Sequence, residues 1–82
     1  MNTKKRLIKV IKKTANELNE LVDITDNVNL VEMYNFESIK IIQLIINIEE
    51  EFGIEIGDDE LDIQNIVIVG NIVRMIEKKL NE

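Results

Sequence analysis

Apolar positions recur at intervals of three and four along three stretches of the chain. From about Thr3 to Leu21, the residues Leu7, Ile11, Ala15 and Leu18 form one stripe that continues to Val22. That spacing is one face of an α-helix. A second periodic stretch runs from Ser38 to Phe52 and is followed at once by Gly53, the residue best suited to the left-handed turn that ends a helix. A third runs from about Val69 to Leu80, with Val69, Ile72, Val73, Ile76 and Leu80 on one face.

Between the first two helices, residues 22–37 show no clear period. Asp, Asn and Thr residues there suit turns, while Ile24, Val28, Leu30 and Phe36 are spaced to pin the segment onto a core, so an ordered connection is expected. Asp58–Ile66 reads as one short turn of helix. Ile66–Val69 is β-branched enough for a strand, but four residues without a partner strand make a weak one. The pattern predicts an all-α, four-helix bundle over residues 1–82, three helices longer and one short, with a long loop between the first two.

The second helix carries more apolar surface than a single core uses. At about 100° per residue, Leu44, Ile45, Ile48 and Phe52 lie within roughly 60° of Ile41 and make a complete core stripe. Ile39, Ile42 and Ile46 fall at about 160°, 100° and 140° on the same wheel. They form a second stripe bordered by Gln43, Glu49 and Glu50. An exposed apolar patch with a charged rim marks a partner site, unless the long connection covers it. Ser38 stands at the helix entrance on that side. N-capping is its ordinary role, but the reciprocal glutamate or glutamine three residues on is absent, since position 41 is isoleucine.

Composition narrows the chemistry. The 82 residues contain no cysteine and no histidine, which removes disulfides, thiol nucleophiles, imidazole bases and zinc sites of the usual kind. Ser38 therefore has no histidine to activate it, and any chemistry at that hydroxyl is performed by another protein. The longest uninterrupted apolar run is Ile66–Val69, far short of a membrane span. The basic opening Lys4–Lys13 lacks the apolar segment and cleavage site of a secretory signal. A cytoplasmic, monomeric protein that is not itself an enzyme is expected. Six basic residues and no acid lie within positions 1–13, whereas the rest of the chain is strongly acidic and the net charge is −6. That acidic body repels nucleic acid and steers towards positive protein patches. Asp58, Asp59, Glu60 and Asp62 lack the alternation and central glycine of a calcium loop, so no metal site is expected.

The segment Phe36-Glu37-Ser38-Ile39, followed by Ile48-Glu49-Glu50-Glu51-Phe52-Gly53-Ile54-Glu55-Ile56, resembles the acyl carrier proteins, which have an Asp-Ser-Leu motif opening their second helix and a Glu-Glu-Glu-Phe segment after it. Leu30 and Tyr34 match apolar anchors of that family, and Asn35 takes a position often held by glycine, as a residue that tolerates left-handed backbone angles. The resemblance implies a carrier for acyl intermediates, held as thioesters on a 4'-phosphopantetheine arm taken from coenzyme A, in fatty acid or in specialised polyketide or lipid biosynthesis. It implies Ser38 as the attachment site, modified by a phosphopantetheinyl transferase. Ile39, Ile42 and Ile46 fall on the family's apolar docking positions, and Glu37, Glu49 and Glu50 on its acidic ones, for acyl-loading and acyl-modifying enzymes with basic docking patches. Glu37 departs from the family's aspartate, Lys40 from an acid, and Gln43 from a glutamate, which leaves room for a specialised carrier.

Two other functions fit the residues: an aminoacyl or peptidyl carrier, and an unmodified helical module that binds a partner through the isoleucine stripe. A membrane-surface role for residues 3–13 is opposed by Leu7 and Ile11, which belong to the core stripe, and no stable membrane insertion is expected.

Overall fold

The computed structural model describes residues 2–15 and 24–81. Its elements are α1 (Thr3–Ala15), α2 (Leu30–Tyr34), α3 (Ser38–Phe52), a 3-10 turn (Asp58–Glu60), α4 (Ile63–Ile66) and α5 (Val69–Leu80). The all-α architecture and the bounds of the two later long helices are those the periodicity predicts. The remainder of the first expected helix, with Leu18 and Val22, lies outside the described residues.

The connection between α1 and α3 carries a helix that periodicity did not reveal. Five residues complete barely more than one turn, too few for a repeat. Its ends are set by side-chain chemistry instead. The Asn29 carboxamide oxygen accepts from the N–H groups of Val31 and Glu32 at 3.0 and 3.1 Å, and Asn29 Nδ2 donates to Glu32 Oε2 at 3.3 Å. This is a variant of the N-terminal capping box. Asn35 then turns left-handed (φ 58°, ψ 37°) and ends the helix. The apolar anchors of the connection are all buried: Ile24, Val28, Leu30 and Phe36.

That connection is stitched to the approach of α5. Leu30 N–H donates to the Val67 carbonyl at 2.8 Å, Val69 N–H to Val28 at 3.0 Å and Gly70 N–H to Asp26 at 2.9 Å. Asn29 and Ile68 form an isolated antiparallel bridge, so the β-branched run contributes one rung of pairing and no strand among the described residues. A Cβ on Gly70 would stand 3.0 Å from the Asp26 carbonyl oxygen, a contact only glycine leaves comfortable.

Helices α1 and α3 are locked together along one flank. Thr14 is buried, its hydroxyl donating to the Val10 carbonyl (2.8 Å) and accepting from Asn47 Nδ2 (2.9 Å). Arg6 reaches the end of α3, where Nη2 donates to the Glu51 carbonyl at 2.7 Å, Nε pairs with the Glu51 carboxylate at 3.0 Å and the guanidinium lies 4.5 Å from the Phe52 ring centre. A cation there satisfies an end carbonyl and complements the helix dipole. Lys40 of α3 reaches α1 in turn, with Nζ 3.2 Å from the Ala15 carbonyl. No described helix is long and apolar enough to cross a membrane.

Candidate functional site at the start of α3

The N-terminus of α3 is unusual in what it leaves undone. Glu37 is the N-cap, in extended conformation, and its side chain makes no capping hydrogen bond. Its carboxylate is one methylene longer than the residues that cap well. Ser38 is therefore the first helical residue and not the cap. Its side chain is exposed, and its hydroxyl is hydrogen-bonded to no described residue. The first intrahelical bond runs from Ile41 N–H to the Glu37 carbonyl at 2.9 Å. The amides of Ser38, Ile39 and Lys40 thus point out of the helix end with its partial positive charge, and no acid lies within the first turn.

Beside Ser38 opens an apolar groove of about 500 Å³. Ile41, Ile42 and Ile45 of α3 form one wall, with Val31 of α2, Leu61 and Ile66 opposite; Glu37 and Ser38 stand at the mouth. On the outer face of the same helix Ile39, Ile42 and Ile46 are 72%, 56% and 49% exposed, so the second isoleucine stripe is uncovered. Met33 and Val31 of α2 extend the apolar surface. Sequence reasoning missed these two because it missed α2. The Asn29-x-x-Glu32 spacing was the available signal.

The acids around the stripe separate into different settings. Glu37 and Glu50 are exposed. Glu49 is half-buried, and its Oε2 accepts from Ile56 N–H at 2.9 Å, which ties the chain after Gly53 back onto α3. Lys40 leaves this face altogether, because its ammonium is spent on α1. Among the described residues no three carboxylates gather as metal ligands.

Residues 5–76 match the family described as phosphopantetheine attachment site. The chain belongs to the acyl carrier protein family. It is 35% identical to the acyl carrier protein of Thermotoga maritima over 57 residues, 70% of this chain and 68% of that one. It is 34% identical to that of Helicobacter pylori strain 26695 over 64 residues, 77% of this chain and 80% of the relative. The acyl carrier protein of Sinorhizobium fredii is 34% identical over 55 residues, covering 67% and 68% of the two chains. No solved structure matches significantly. Members of this family carry and do not catalyse, and their cofactor is covalent 4'-phosphopantetheine. The carrier's α3 entrance fits such a group: it offers an uncommitted hydroxyl, outward-pointing amides suited to a phosphodiester anion, and an apolar groove within reach.

Proposed function

We propose that Ser38 is the residue that receives 4'-phosphopantetheine, and that the protein carries acyl intermediates as thioesters for fatty acid synthesis or for a specialised polyketide or lipid pathway. The observation that carries the reading is an exposed, uncommitted hydroxyl at the mouth of an apolar groove. Ser38 Oγ would attack the phosphorus next to the pantetheine half of coenzyme A, and the P–O bond to the adenosine bisphosphate would break. The proton passes to a base of the transferase, since no described side chain holds the hydroxyl. When bound, the arm supplies the thiol that this cysteine-free chain lacks.

The apolar lining supports an acyl cargo over an aminoacyl one, whose ammonium would be desolvated in the groove without a partner. Ile39, Ile42 and Ile46, with Glu37 and Glu50 beside them, suit transferases and acyl-processing enzymes that present an apolar surface with basic neighbours. Glu49 contributes less to that face, because its carboxylate is held by the Ile56 amide. The reading treats residues 1–82 as one carrier domain working in the cytoplasm.

Intact mass after incubation with coenzyme A and a broad-specificity phosphopantetheinyl transferase tests the attachment. Wild type is expected to gain one phosphopantetheine, and Ser38→Ala none. Modification of the alanine variant would refute the site. An unmodified wild type, under a transferase that loads a control carrier, would favour a plain interaction module.

A further inference from the structure

The lysines of α1 do not all serve the fold. Leu7, Val10, Ile11 and Thr14 turn inward, which leaves Lys5, Lys9, Lys12 and Lys13 on the exposed face. Lys4 pairs with Asp26 at 2.9 Å and Arg6 with Glu51, whereas none of those four lysines forms an ion pair with a described residue. Two of the four border α3. Lys13 lines a shallow groove with Gln43, Ile46 and Asn47. Lys9 and Lys13 together line its neighbour with Asn47, Glu50 and Glu51. The exposed Ile46 therefore has a cation close by on the α1 side, while Glu37 lies at the other end of the isoleucine stripe.

We propose that Lys9 and Lys13 belong to the docking face and determine which enzymes use it. They select a partner whose docking patch places an acidic group against α1 next to the basic groups that meet Glu37 and Glu50. They penalise a partner whose patch is basic throughout. The inference rests on α3 being the docking helix, as proposed above. Its physical basis is that like charges brought together at an interface cost affinity and slow encounter, and that discrimination is built from such repulsion as much as from attraction. A protein fits this face better than an anionic bilayer. The apolar residues of α1 are buried apart from Ile8, which is half-buried against the core, so the helix has little to insert, and Glu50 and Glu51 stand in the same groove as the lysines.

The test uses apo protein, coenzyme A and a broad-specificity transferase whose docking patch is basic, with rates of modification read by intact mass. Lys9→Glu/Lys13→Glu is compared with Lys5→Glu/Lys12→Glu, which changes the net charge equally but away from the grooves. Circular dichroism confirms that both fold. At low salt the groove pair should raise kcat/KM about 5- to 20-fold above the matched pair, chiefly through KM, and the gap should shrink as salt screens it. Equal kcat/KM in the two variants, or a lower value for the groove pair, overturns the inference and leaves Ser38 attachment intact. Binding of wild type to phosphatidylglycerol vesicles that Lys9→Glu/Lys13→Glu abolishes and Lys5→Glu/Lys12→Glu retains overturns it in favour of a lipid surface. No modification of any of the three proteins, under a transferase that loads a control carrier, defeats the attachment reading and takes this inference with it.

Discussion

At position 37 one methylene separates two behaviours. Glu37 occupies the N-cap of α3 with an extended backbone, yet its carboxylate makes no capping bond. Aspartate at the same backbone angles reaches the amides two and three residues on. Glu37→Asp is expected to stabilise the fold by about 0.5–1 kcal/mol, seen as a rise in melting temperature of roughly 2–8 °C. An unchanged melting temperature would show that these amides are already satisfied by water. Lys40 teaches the opposite lesson about reading charge from sequence. Counted as a base just after the serine, it weakens the acidity expected of the docking face. In the fold its ammonium is 3.2 Å from the Ala15 carbonyl, so it is turned towards α1 and the face keeps its exposed acids.

Among the elements, the ones long enough to repeat are legible with their bounds, while the short turn expected within Asp58–Ile66 appears as the 3-10 turn and α4. Ser38–Phe52 and Val69–Leu80 each complete three or more turns, and Gly53, left-handed at φ 64°, marks the end of the first. The isoleucine stripe was legible for the same reason, as a surplus on a wheel that a single core cannot absorb. Helix α2 was not legible by period, and the groove wall it provides went with it. Leu61 and Ile66 were invisible as site residues because their place depends on the backbone pairing between the connection and the approach of α5. Asn29→Ala removes the cap on which α2 depends and should cost about 1 kcal/mol by denaturant unfolding, with a loss of groove shape beyond that of a distant surface substitution. A second contact ties the 3-10 turn to α5. Glu60 accepts from Lys79 Nζ at 2.7 Å and from Gly57 N–H at 3.0 Å, and these bonds, the lysine first, hold its carboxyl below the usual glutamate value. A carboxyl depressed in the folded state adds stability above its unfolded value, and loses it as pH falls through the folded one. Glu60→Gln should therefore be less stable than wild type at neutral pH and decline less steeply below about pH 4.5. Parallel pH curves for the two proteins would show that the pair contributes nothing.

For the molecule as a whole, charge is the dominant asymmetry. Eleven acids lie from Asp26 to Asp62 with Lys40 the one base among them, and ion pairs with Lys4, Arg6 and Lys79 tie down Asp26, Glu51 and Glu60. The remainder repel one another. Raising sodium chloride from about 20 to about 200 mM should increase the melting temperature by roughly 3–6 °C, as screening relieves that repulsion; a flat or falling value would mean that α1 already neutralises the body. The two sides of the groove differ in another respect. Helix α3 is fifteen residues long and bolted to α1, whereas α2 has five residues and α4 four, joined where Leu30 N–H meets the Val67 carbonyl. Helices so short do not sustain themselves in water, and segments of this kind open for a fraction of the global unfolding free energy. The groove is thus a vessel with one rigid and one compliant side. On the proposed reading, an acyl chain that outgrows the groove would meet a spring and not a stop, at a penalty that rises gradually with each added carbon.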